Sequence, residues 1–156
     1  MQTLNIFAAQ WVAPTIDYFG LAPELVLAGG LCLVLMLDLF IDERKKWMLT
    51  AITSFTLLAA MVPVLMLALS ETEVRTMFDG RYVVDNFSLV MKAVFLLAGY
   101  VVVLLSSSHI EQGEYWRGEY WFLLLTSLLG MLMMASSRDL VSIFVALEFL
   151  SIPAYM

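Results

Sequence analysis

The sequence predicts an all-α integral membrane protein in which about five transmembrane helices run up and down through the bilayer. Three observations carry this. Apolar residues make up 62% of the chain and mean hydropathy is +0.91, whereas an ordinary soluble domain is about 45–50% apolar. Five apolar stretches meet or approach the roughly 20 residues that cross about 30 Å of hydrocarbon. Only 14% of residues are charged, and most of those fall in linkers or near helix ends.

The elements follow in order. Residues 1–20 read as an N-terminal interfacial segment; they hold Asp17 and no Lys or Arg, so they lack the basic start of a signal peptide, and the mature chain is expected to keep its first residue. The spans are placed at 21–41, 47–69, 86–110, 119–137 and 140–156. Gly29-Gly30 in the first span and Pro63 in the second suit close helix packing and a kink. Cys32 reads as a small buried hydrophobe, and a single cysteine builds no disulfide framework. The linkers are a charged turn at 41–46, a longer acid-rich loop from Ser70 to Asp85, a polar loop from Ser106 to Gly118 and a short link, Ser136-Ser137-Arg138-Asp139, whose Ser and Asp can cap the next helix. Tyr115, Trp116, Tyr120 and Trp121 are expected at the membrane interface. The fifth span holds only about 17 residues, the lower limit for crossing, and stops at Met156 without a charged or polar flank, so the chain looks cut short. Residues 21–110 thus carry helices one to three, and 111–156 carry helices four and five.

Orientation is read from Lys and Arg in the short loops, which stay on the cytoplasmic side. Arg44, Lys45, Lys46 and Arg117 fall on one side, and Arg75, Arg81 and Arg138 on the other. The cluster after the first helix weighs most, which puts the N-terminus at the periplasmic side of a bacterial inner membrane.

Several function classes drop out. No basic surface for nucleic acid is apparent in a chain of net charge −6. His109 and Glu111 form an isolated pair in a loop, short of a metal-ligand set, and there is no Gly-rich phosphate loop, nucleophile elbow or Cys cluster. The eleven methionines are gap fillers.

What remains is charge inside the lipid. Glu148 lies in the middle of the fifth span, where a charged side chain costs roughly 2.5–3.5 kcal/mol on insertion scales, so such acids are paired, face protein or belong to a proton path. Pro153 strengthens its case: proline has no N–H for the Phe149 carbonyl, which leaves a free acceptor beside the acid. Ser151 could help to hold water there. Glu24 and Asp38 share one face of the first helix, about 40° and 21 Å apart; near the ends of their span, both are expected to reach interfacial water or a helix-end partner. Lys92, about 9 Å into the third span, either snorkels to the interface or pairs with Glu148 across the bundle.

These residues resemble a known family. Gly118 to Ser137, followed by Arg138 to Pro153 with its phrase Leu147-Glu148-Phe149-Leu150-Ser151-Ile152-Pro153, is similar to the fourth and fifth helices of the antiporter-like subunits of respiratory complex I (NADH-quinone oxidoreductase), subunit N above all. Leu21 to Leu27 with Leu37 to Phe40 resembles the first helix of that subunit, and Asp85 to Ser88 the start of its third. The resemblance implies a proton-translocating membrane subunit that couples quinone reduction to proton pumping, with Glu148 at the family's fifth-helix glutamate, working among other membrane subunits of the complex. NADH, FMN, iron-sulfur clusters and quinone would be used by the complex and bound by none of this chain. The family has about fourteen helices arranged partly as inverted repeats; the lysine of its broken seventh helix has no counterpart here, and Lys92 does not replace it. Two alternatives stay open: a subunit of a multisubunit sodium/proton antiporter or membrane hydrogenase, and a noncatalytic membrane scaffold.

Overall fold

The computed structural model describes residues 16–40, 47–70, 74–112 and 117–155. Five helices form: α1 (Ala22–Phe40), α2 (Trp47–Leu69), α3 (Asn86–Gln112), α4 (Arg117–Ser136) and α5 (Leu140–Tyr155). The first four contain stretches long and apolar enough to cross a membrane, while α5 has 16 residues. Helices α1 to α4 pack as a ring in which each touches the next and α4 returns to α1; α5 lies against α4.

Each helix buries one narrow stripe and leaves the rest of its apolar surface outward. On α4 the stripe is Trp121, Leu125, Leu128 and Leu132; on α3 it is Leu89, Lys92, Leu96, Gly99 and Val103. Steps of three and four residues put such positions on one side of a helix. The opposite sides carry exposed Leu25, Leu33, Phe55, Leu65, Phe87 and Leu105. That outward apolar coat suits lipid, where water drives no burial and packing draws helices together through small residues.

The glycines mark those close approaches. A Cβ on Gly30 would fall 2.0 Å from the Thr56 methyl of α2, one on Gly99 would meet Leu128, and one on Gly130 would lie 2.8 Å from both the Ala146 oxygen and the Leu150 nitrogen of α5. Gly29, beside Gly30, has nothing within 4 Å; only the second member of that pair seats a neighbour.

Between α2 and α3 the chain forms a small hairpin where a plain loop is expected. Strands β1 (Arg75–Met77) and β2 (Tyr82–Val84) pair antiparallel, and Tyr82 also bridges to Ser137 at the end of α4. Its turn passes through left-handed backbone at Phe78 (φ 52°), Asp79 (φ 57°) and Gly80 (φ 82°). Glycine adopts this freely and aspartate tolerates it, but a bulky phenylalanine is strained there. The Arg138 N–H donates to the Arg81 carbonyl at 2.8 Å and Arg138 pairs with Asp85 at 2.6 Å. The hairpin therefore lies over the end of the bundle where α1 and α3 begin and α4 turns into α5.

Helix starts are capped locally. Asp85 and Ser88 satisfy each other at the head of α3, with the Ser88 N–H donating to Asp85 Oδ1 at 2.8 Å and the Asp85 N–H to Ser88 Oγ at 2.9 Å. Asp139 accepts from the Ser142 N–H at 3.4 Å at the head of α5.

Four expectations are corrected. Trp121 is fully buried and meets Tyr120 edge to face, because it falls on the core stripe of α4; it is no interfacial anchor, and Tyr115 and Trp116 lie outside the described residues. Cys32 is exposed, since it sits off the buried α1 stripe of Leu27, Gly30 and Val34. His109 and Glu111 belong to the last turns of α3, which continues past the expected loop start. Gly29 packs against nothing.

Because backbone atoms oppose it, Gly130→Ala is expected to cost about 1–3 kcal/mol by overpacking, whereas Gly29→Ala should be neutral. Thermal unfolding of the two variants in detergent checks the contrast.

Candidate functional site

The α4 contact fixes how Glu148 is presented. Ala146 is the buried residue of α5, Gly130 admits the backbone around it, and Ser127 Oγ donates to the Leu150 carbonyl at 3.5 Å. Two residues beyond Ala146, about 200° around the helix, Glu148 lies on the side of α5 away from α4. It is half-buried among exposed Phe144, Val145, Leu147, Phe149 and Ile152, and it makes no hydrogen bond or ion pair among the described residues. Pro153 is inside α5 and half-buried.

Lys92 goes elsewhere. It is 0% exposed, and its ammonium lies 2.7 Å from Glu24 Oε1. This corrects both expectations for it: Lys92 does not snorkel, and the acid that holds it is Glu24 rather than Glu148. The reason is its place on the buried stripe of α3, which faces the ring interior.

Tyr82 completes a buried trio. Its hydroxyl donates to Glu24 Oε1 at 2.7 Å and accepts from Lys92 Nζ at 3.3 Å. The ammonium is 5.4 Å from the ring centroid, farther than from the oxygen, so it meets the hydroxyl edge and not the π face. Burial, and then the neighbouring Glu24 charge, push the Tyr82 hydroxyl far up, so the phenol keeps the proton it donates. Glu24 is 7% exposed and its Oε2 is buried with no hydrogen bond among the described residues. Three elements thus converge on one carboxylate: α1 supplies it, β2 the phenol and α3 the cation.

The edges of the hairpin carry more exposed ties. Arg75 pairs with Asp17 and lies 5.5 Å from the Phe19 ring centroid. The Arg75 guanidinium holds the Asp17 carboxyl below the usual carboxylate range, helped by the Gly20 and Phe19 N–H groups.

Asp38, at the far end of α1, sits against the first turn of α4. A Cβ on Gly118 would fall 1.9 Å from its Cγ, so the glycine is what admits the carboxylate to the positive end of the helix. Asp38 Oδ1 is buried without a hydrogen bond among the described residues. Tyr82 is the site residue that sequence reasoning missed. Its one signal is the β-branched and aromatic run Tyr82-Val83-Val84, too short to separate a strand from a loop.

No family model matches the chain. It is similar to NADH-quinone oxidoreductase subunit N of Thioalkalivibrio sulfidiphilus, 32% identical over 139 residues that cover 89% of this chain and 28% of the relative. The same subunit of Anoxybacillus flavithermus is 38% identical over 86% of this chain and 27% of its own, and that of Brevibacillus brevis is 34% identical over 100% and 30%. Among solved structures, a chain of respiratory complex I from Thermus thermophilus with bound aureothin superposes with a TM-score of 0.68 at 28% identity, over 85% of this chain and 28% of that one. The chain therefore spans somewhat over a quarter of the length of the relatives it matches.

Tyr82→Phe removes one donor from a buried carboxylate, a loss of about 1–3 kcal/mol. The midpoint of thermal unfolding should fall accordingly, and an unchanged midpoint would show that the phenol is not bonded to Glu24.

Proposed function

We propose that the chain is part of a proton-translocating membrane subunit of an NADH-quinone oxidoreductase and that Glu148 takes up and releases the proton. The observation that carries this reading is a carboxylate at mid-span of an apolar helix with no cation or donor engaging it among the described residues. A structural acid in lipid needs a partner to offset its desolvation; a carrier needs instead to be reachable and changeable in charge. The relatives support the setting, being named as subunits of that enzyme.

The chemistry asked of this chain is limited. Glu148 holds or gives up a proton, the Phe149 carbonyl left free by Pro153 offers an acceptor to water beside it, and exposed apolar neighbours limit access from the side. The α5 face carrying the acid is the one turned from α4. Iron-sulfur clusters are held chiefly by cysteine thiolates and the sequence has one cysteine, so no role in cluster chemistry is assigned to these residues. Quinone reduction and NADH oxidation belong to partner subunits of the complex.

In the assembled complex, Glu148→Gln should lower proton translocation at least about tenfold, while co-purification of the other membrane subunits is retained. Normal pumping with failed assembly would overturn the reading in favour of a scaffold.

A further inference from the structure

The trio beneath the hairpin is unused by the Glu148 reading. It combines an acid, a cation and a phenol, all buried, and none of its members belongs to α5. Glu24 is 58 residues from Tyr82 in sequence, so chain connectivity alone does not bring the acid to the other two. The Glu24 carboxylate has one oxygen shared by Lys92 and Tyr82 and a second oxygen, Oε2, that is buried and bonded to nothing among the described residues. That oxygen is a place for a proton. The element held by the trio is also poised to move: a two-stranded hairpin is marginal in isolation, and its turn carries the strained Phe78.

We propose that Glu24, Tyr82 and Lys92 form a second protonation site of the chain, a latch that keeps the hairpin docked while Glu24 is ionised and frees it when Glu24 takes up a proton. The step is a proton transfer from hydronium to Oε2: one O–H bond of the donor breaks, the Oε2–H bond forms and a neutral water is left. It neutralises the negative member of a buried ion pair: Oε1 remains as an uncharged acceptor 2.7 Å from Lys92 Nζ, and the ammonium is left without a counter-charge among the described residues. An uncompensated buried charge is strongly unfavourable, and lifting β2 relieves it by letting water in. Because Tyr82 bridges to Ser137 and Arg81 receives the Arg138 N–H, lifting β2 also loosens the turn from which α5 begins.

Other charged and titratable groups face this end and set the controls. Asp17 and Arg75 pair at the outer edge of β1, Asp85 and Arg138 pair at the head of α3, Asp79 and Arg81 lie in or beside the turn, and Asp139 caps α5. Helix α2 contributes none. The pairs at Asp17 and Asp85 are part-exposed, so water already screens them and their loss removes less than loss of the buried pair.

The test uses the complete protein in permeabilised membranes, with Cys32→Ser and a reporter Val84→Cys on the buried face of β2. The rate of maleimide labelling is divided by that of a small free thiol at the same pH, which removes the ionisation of the thiol itself. The expected result is slow normalised labelling at pH 8 that rises at least about tenfold by pH 4. Adding Glu24→Gln should make labelling fast at both pH values. Glu24→Gln with Lys92→Met, which removes both charges, should restore slow labelling and abolish the pH response, while Asp17→Asn should leave the response in place. The latch is overturned if the parent labels equally at the two pH values, if Glu24→Gln stays as protected as the parent, or if Asp17→Asn alone removes the response. Neutral, pH-independent labelling in the parent needs no mutant of the trio to be read, so a variant that fails to fold does not rescue the idea. The reading of Glu148 is untouched by any of these outcomes, since none of them measures pumping.

Discussion

One buried carboxylate organises the capped end of this molecule. Glu24 draws Lys92 out of α3 and Tyr82 out of β2 onto a single oxygen, and those two contacts settle where the hairpin lies. From there the geometry propagates outward: β2 meets the end of α4, Arg138 closes on Asp85, and α5 starts from a turn already held in place. Apolar packing alone would not select this arrangement, because in lipid one hydrophobic face is nearly as comfortable as another. A pair of opposite charges that must find each other inside the ring is a far more selective instruction.

That selectivity explains which parts were legible in the sequence. Helix positions came from hydropathy and length, and the link at 136–139 follows from its capping residues; the expected charged turn at 41–46 lies outside the described residues. The facing of each helix was not legible. A helix that is apolar all around has no polar side to contrast with a core side, so Trp121 could be taken for a surface anchor and Cys32 for a core residue. The informative positions were the exceptions to apolarity: Lys92 marks the inward stripe of α3, and Gly30, Gly99 and Gly130 mark contacts. Partnership between Lys92 and Glu24 depends on side chains of α1 and α3 meeting across the ring under a hairpin, a three-body arrangement that spacing within one helix cannot express.

The hairpin itself illustrates a second limit. Three residues per strand give too little alternation to distinguish from a loop, and its turn places phenylalanine and aspartate where glycine is usual. Tertiary contacts, chiefly the buried Tyr82 and Met77, hold it against that local preference. Glu148 stands out as a candidate for the opposite reason: a lone acid in an apolar run is conspicuous whatever surrounds it.

The direction in which that acid faces is decided by an atom that is missing. Residue 130 carries no side chain, so α5 settles backbone to backbone on α4, with Ala146 turned into the contact. Any group placed there acts as a wedge that swings the carboxylate through an arc without altering its chemistry. An uncharged position eighteen residues upstream therefore controls which way the Glu148 carboxylate faces, and hydropathy or charge inspection would pass over it.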